Sequence, residues 1–321
     1  MNGWQAGIFI GRRLLAMVGL LFLLSFGVFL LIYLAPGDPV DSLLPLLERD
    51  PTAVAAVEEK YHLNDSFLQQ YWLWLQNALQ FDLGDSTMSQ QPVTRAIQLR
   101  VGVSLFLGLY AFVLAMVFGI TLGILSALRR RSSIDRGIVA ASIVGVSTPA
   151  FVSATLLIFL FSVQLTWFPA FGPGDGFTGR LYHLTLPAVA IAIGAMTLVL
   201  RLTRAALIGV LEQDYITFAV ARGVRGRLLL VGYLLRNGLI PVVTAGGILL
   251  AGLLTGAVIV ENVFGIPGIG QLFLESIQQK DVPVVQGIVL VIGVVVIVVN
   301  LLTDLLYVAV DPRIRFEGAT V

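Results

Sequence analysis

Six charge-free stretches divide the chain. They are Leu14–Gly37 (24 residues), Val101–Leu128 (28), Gly137–Gly174 (38), Leu181–Leu200 (20), Asn237–Val260 (24) and Val282–Thr303 (22). A helix needs about 20 mostly apolar residues to cross a hydrocarbon core of ~30 Å, so each stretch is long enough. The third is too long for one crossing. It leaves the membrane near Trp167-Phe168-Pro169, an aromatic interface belt followed by Gly/Pro turn chemistry. Six transmembrane helices are predicted. The first, behind Arg12-Arg13, has a longer apolar core than a signal peptide and no clear cleavage site after it, so it reads as a retained signal-anchor helix.

The polar segments between the stretches are unequal. Numbered alternately from the N-terminus, one side holds 14 of the 20 basic residues and six acidic ones, net +8. The other holds six basic and 13 acidic residues, net −7. Cytoplasmic loops carry the excess of Arg and Lys, so both termini are expected inside. The only sizeable external segment is 38–100. In it Asp50-Pro51 reads as an N-cap with proline at the first helical position, opening a short helix through Tyr61. Asn64 or Asp65 is a candidate cap for a second helix, whose Leu68, Trp72, Leu75 and Leu79 recur at 4-3-4 spacing. That stripe is expected to lie on lipid or pack on the protein's own bundle rather than to meet an external partner.

Composition agrees with a bundle in lipid. The 321 residues are 57% hydrophobic and 12% charged, with a mean hydropathy of +0.93, against roughly 25% charged for soluble domains. Pro149, Pro187 and Pro241 free backbone carbonyls and kink helices. Gly119 and Gly123 lie in the second span, and Gly252-Leu-Leu-Thr-Gly256 is a small-xxx-small pattern suited to close helix approach. The absence of cysteine excludes disulfides and thiolate chemistry. No GxxxxGK[ST] loop is present, which rules out ATP binding by that route. His62 and His183 stand far apart without HExxH spacing, and no serine sits in GxSxG, so a metalloprotease or serine hydrolase is excluded. Glu261, Asp304 and Arg201 lie near span ends rather than at a midplane.

The longest charged interruption on the basic side is Asp214–Pro241. Asp214–Arg222 has the makings of a short helix, slim at Ala219 and Ala221, and Gly223 supplies its stop. Arg222, Arg225, Arg227 and Arg236 follow, and a second helical segment leads into Pro241. Asp-Tyr at 214–215, Ala219, Ala221, Gly223 and Arg236-Asn237-x-Leu239-Ile240-Pro241 closely resemble the cytoplasmic coupling loop of ABC-importer permeases of the dipeptide/oligopeptide/nickel branch. Arg222 stands where that family usually has Lys, and Gly238 where it has Ala. The resemblance runs along nearly the whole chain, through Ala35-Pro-Gly-Asp-Pro39, Phe81–Ser86, Pro92-Val93, Val263–Gln271, Asp281–Gly287, and Asn300, Asp304, Tyr307 and Asp311–Arg315.

What the resemblance implies is an all-α integral membrane fold, the six-helix transmembrane domain of a type I ABC importer, with a cytoplasmic coupling helix. The divisions are 1–37 (tail and first span), 38–100 (external insertion, marking the first of two paired permeases), 101–310 (permease core) and 311–321 (cytoplasmic tail). It further implies a bacterial inner-membrane location and no cofactor in this chain. ATP and Mg belong to two cytoplasmic ABC ATPase subunits. The other partners are a second permease, an external solute-binding protein and the bilayer, with no nucleic acid. Asp214, Tyr215, Phe218, Ala219, Ala221, Arg222, Gly223, Arg225 and Arg227 would meet the ATPase. Ser147, Thr148, Thr197, Thr244 and Thr255 are the polar candidates for the translocation path of peptides or a related solute. The alternative is a self-contained secondary transporter or channel using Asn300 and Asp304; a membrane enzyme lacks any credible constellation.

Overall fold

The structure, a computed structural model, describes residues 3–34, 40 and 50–310, with the side chains of 3–10, 60, 244 and 304–310 outside the description. The blocks at 35–39 and 311–315 and the tail 311–321 therefore lie outside the described residues. Among the described residues five helices are long and apolar enough to cross a membrane: Gly11–Leu34, Val93–Leu128, Gly176–Leu211, Ile240–Val263 and Val282–Thr303. The pair Ser133–Ser147 with Ala150–Gln164 passes the same test only when taken together, and is bent by 105° as a broken span or a re-entrant loop is.

Contacts group the described residues into two units. One takes the chain up to Ser104 together with Pro267–Leu301; the other takes Leu105–Ile266 and the described residues from Leu302 onward. These boundaries differ from the linear division at 37, 100 and 310.

In the first unit, helix α1 (Gly3–Leu34) is followed by α2 (Pro51–Lys60) and α3 (Phe67–Leu79). Asp50 caps α2: its carboxylate accepts from the Ala53 amide at 2.6 Å and the Thr52 hydroxyl at 2.6 Å. The cap of α3 is Ser66, without a side-chain bond, not Asn64 or Asp65. The reason is Gln70, whose amide nitrogen donates to the carbonyls of Leu63 (3.1 Å) and Asp65 (2.9 Å) and ties down the turn from inside α3. The leucine stripe is not the face that packs on α1. Phe67, Tyr71 and Trp74 pack on Phe22, Phe26 and Phe29 of α1, leaving Leu68, Trp72 and Leu79 exposed and Leu75 half-buried. Aromatic area outweighs the more regular leucine spacing.

Helix α4 (Val93–Leu128) begins in this unit. Its Val93 and Ile97 join Ile269 and Leu272 of α12 (Ile269–Gln279) and Val284 and Ile288 of α13 (Val282–Val310) in one apolar cluster. The buried Asp281 carboxylate organises the loop ahead of α4. It accepts from the Ser86 hydroxyl at 2.5 Å and the Thr87 amide at 3.3 Å.

In the second unit the later turns of α4 run against α7 (Gly176–Leu211). A Cβ on Gly119 would stand 2.7 Å from Cβ of Val199, and one on Gly123 2.6 Å from Cβ of Thr203, so two glycines one turn apart let these helices touch. The small-xxx-small pair at 252 and 256 does no such thing. A Cβ on Gly252 would meet nothing within 4 Å, and one on Gly256 only its own helix.

The three span prolines behave in three ways. At Pro149, α5 (Ser133–Ser147) ends and α6 (Ala150–Leu157) leaves at 105°, running on as a π-helix through Gln164. Thr148, held extended at φ −87°, ψ 118°, shows the restriction a proline places on the residue before it. Pro187 sits inside unbroken α7. Pro241 occupies the first turn of α10 (Ile240–Thr255), the position where it costs no hydrogen bond.

Candidate functional site: the loop between α7 and α10

Helix α7 ends at Leu211, and α8 (Asp214–Ala221) starts three residues later. Its turn geometry is a Schellman stop: the Val224 amide donates to Ala219 at 3.0 Å and the Gly223 amide to Val220 at 2.9 Å. Gly223 has φ +85°, a backbone conformation that glycine adopts without strain. A π-helical segment, Leu228–Leu235, and the turn Arg236–Gly238 (α9) return the chain to α10.

One face of α8 is locked down. Ile216 and Ala219, three residues apart, are 3% and 6% exposed. Ile216 joins Ala127 at the end of α4, Leu207 of α7 and Leu234 of the return segment. The opposite face is bare: Phe218 is 70% exposed, with Tyr215, Asp214, Thr217, Ala221, Arg222 and Gly223 also exposed. Arg225 and Arg227 lie exposed beyond the stop. Of the nine residues expected to meet a partner, Ala219 is therefore the inward anchor and the other eight are at the surface.

Polar contacts lie near the end of α7, next to α8. Arg130 pairs with Glu212 at 2.6 Å, and about two helical turns back along α7 the Arg204 guanidinium holds Asp135 of α5. Neither ion pair was legible in the sequence, since each joins residues more than 60 positions apart. Asn237 donates to the Tyr233 carbonyl at 2.9 Å, and an open groove of about 540 Å³ beside it is lined by Ala206, Gly209, Val210, Gln213, Tyr215, Asn237, Gly238 and Pro241.

The polar span residues differ in their surroundings. Thr197 is 2% exposed, and its hydroxyl reaches the carbonyls of Ser142 (3.3 Å) and Ile193 (3.2 Å). Thr255 donates to Ala251 and Gly252, and Thr148 to Val144. Ser147 is exposed beside the break at Pro149; the side chain of Thr244 lies outside the described residues. Among the described residues no three His, Cys, Asp or Glu side chains gather as a metal site.

Five long apolar helices and a bent apolar pair among the described residues, with a braced helix on the loop after α7, have the build of a membrane subunit. The chain belongs to the binding-protein-dependent transport system inner membrane component family, which it matches over residues 119–316, with the family's N-terminal part matched over 8–107. It is 38% identical over 306 residues to a glutathione transport system permease protein, GsiC, of Pectobacterium atrosepticum, covering 95% of this chain and 98% of that one. It is 37% identical over 309 residues to the dipeptide transport system permease protein DppB of Bacillus subtilis, covering 95% and 97%. Among solved structures it is similar to a chain of the MetNI methionine ABC transporter in inward-facing conformations. The TM-score is 0.57 at 18% identity, over 67% of this chain and 96% of that one, a likeness of fold. The chain is thus a multi-pass inner-membrane permease of an ABC importer, with the type I importer transmembrane fold and no catalysis of its own.

Proposed function

We propose that this permease pairs with a second, similar permease to form the path for di- or oligopeptides or a related small solute such as glutathione. An external binding protein delivers the cargo, and two cytoplasmic ABC ATPases, which hold the ATP and Mg, drive the cycle. Both termini are cytoplasmic in this reading, and residues 38–100 form the external segment. The cargo class rests on relatives described as glutathione and dipeptide permeases.

The observation that carries the coupling role is the two-faced geometry of α8. Ile216 and Ala219 bind it to the ends of the membrane helices, while Phe218 and Tyr215 project with Asp214, Ala221, Arg222 and Gly223 around them. An aromatic side chain 70% exposed on a rigid helix is an anchor for a pocket in a partner, and Arg222, Arg225 and Arg227 add charge contacts at its rim. Because the inner face is locked, a displacement of α8 moves the helices it is packed on.

The test is the reconstituted transporter with Phe218→Ala or Gly223→Trp. Uptake and its coupling to ATP hydrolysis should be lost while the permease still inserts and ATP hydrolysis by the ATPases persists. Full uptake by both variants removes the coupling role. Uptake by this chain alone, with no ATPase present, removes the importer reading.

A further inference from the structure

We infer that α3, although it follows α1 outside the six spans, lies at hydrocarbon depth in the leaflet toward which α1 runs, with Leu68, Trp72, Leu75 and Leu79 covered by lipid acyl chains.

The depth can be read from two neighbouring helices of the same unit. Leu24 of α1 abuts Gly293 of α13, where a Cβ would stand 2.3 Å from its side chain. These residues lie near the middle of the spans Gly11–Leu34 and Val282–Thr303, so the two helices place the membrane centre at the same level. Further along α1, Gln286 of α13 donates to the carbonyl of Val28 at 3.0 Å, which keeps the two helices in that antiparallel register.

Helix α3 packs against this same middle portion. The Tyr71 hydroxyl meets the Ser25 hydroxyl at 2.8 Å, one residue from the central Leu24. The Tyr71 ring also lies 5.7 Å from Phe22, 5.2 Å from Phe26 and 5.5 Å from Phe29. Ser25 is nine residues, about 14 Å, from the end of α1 at 1.5 Å per residue, nearly the whole of one hydrocarbon leaflet. A tyrosine side chain is much shorter than that, so the α3 backbone itself lies inside the leaflet.

The composition of α3 suits that position. Its thirteen residues, FLQQYWLWLQNAL, carry no charge. Around the helix, Phe67, Tyr71 and Trp74 face α1, the Leu68, Trp72, Leu75 and Leu79 arc comes next, and exposed Gln69, Gln76 and Asn77 follow. Leu68 and Leu79 are 71% and 73% exposed. That order describes a helix wedged between a span and the acyl chains, its amide arc turned to the headgroups. A soluble partner cannot reach residues at this level. The outer side of α1, bare at Leu15, Val18 and Leu23, continues the apolar surface.

The cysteine-free chain allows a direct test. Single cysteines at 68, 72 and 79, and at 69 and 76, carry a nitroxide spin label in the complete transporter in liposomes. Collision with dissolved oxygen is then compared with collision with a water-soluble nickel chelate. Oxygen should dominate several-fold at 68, 72 and 79, with nickel access gained at 69 and 76. Nickel access at 68, 72 and 79 equal to that at 69 and 76 places the arc in water and overturns the inference. Low access to both reagents at 68, 72 and 79 means another subunit covers the arc, which also overturns it.

Discussion

Arg204 grips Asp135 with two parallel hydrogen bonds, Nε to Oδ1 at 2.9 Å and Nη2 to Oδ2 at 2.9 Å. The same carboxylate accepts from the Ser126 hydroxyl and, at 2.9 Å, from the Arg131 amide. One side chain of α7 thereby holds the end of α4 and the start of α5 together, ten residues ahead of α8. With Arg130–Glu212 nearer the tip, it makes the base of the lever stiff.

Breaking this pair should therefore loosen α4, α5 and α7 where they meet. Removing one partner of a buried ion pair costs ~3–5 kcal/mol. Arg204 keeps 29% of its side chain in solvent, so a loss nearer ~2 kcal/mol is expected for Asp135→Asn, after discounting for solvent screening. Arg204→Lys keeps the charge and loses the fork, and should fall between wild type and Asp135→Asn. Denaturation midpoints of the purified permease give the order.

The contact of α4 with α7 depends on two hydrogen atoms in place of methyl groups. Gly123→Val and Gly119→Val should each destabilise by ~1–3 kcal/mol through overpacking against Thr203 and Val199. Gly252→Ala, with nothing within 4 Å of the new methyl group, should be neutral or stabilising. Thermal unfolding in detergent separates the two classes.

At Gly223 the constraint is conformational, because a Cβ there meets no atom within 4 Å while φ is +85°. Gly223→Ala should cost ~1–2 kcal/mol at the end of α8, and Gly223→Asn less. Hydrogen exchange of the Gly223 and Val224 amides, whose bonds close the stop, should speed up in that order.

The cap of α2 should respond to acid. The Thr52 hydroxyl and, next, the Ala53 amide hold the Asp50 carboxyl below the usual carboxylate range. Its folded pKa is lowered, so its contribution is present above the ordinary carboxylate pKa and lost as pH falls through the folded value. Exchange protection in 51–60, corrected for intrinsic rates, should drop on acidification below the ordinary value. Asp50→Asn, an uncharged cap, should remove that dependence.

Some of these features were legible in the chain itself. Asp50-Pro51 and Gly223 announce a helix start and a helix stop through local chemistry, and both occur as the sequence predicts. Others were not. The regular spacing of Leu68, Trp72, Leu75 and Leu79 marks a helix correctly but leaves open whether that face meets lipid or protein, because the ring cluster on α1 that attracts Tyr71 lies some 45 residues earlier. The bond from the Thr197 hydroxyl to the Ser142 carbonyl of another helix could not be read from the sequence.

Taken alone, the order of residues determined the apolar spans, the charge asymmetry between alternate loops, the basic loop after α7 and the family. Those are local quantities, set by length of apolar run, charge and short motifs. Only the tertiary structure decided that Pro149 turns the chain by 105° while Pro187 leaves α7 whole, that Gly119 and Gly123 rather than Gly252 and Gly256 carry a helix contact, and that Ala219 faces inward. The reason is that lipid tails are as apolar as leucine, so hydropathy states that a helix is in the membrane without stating what it touches. Shape, and the partners available for each hydroxyl and carbonyl, make that choice.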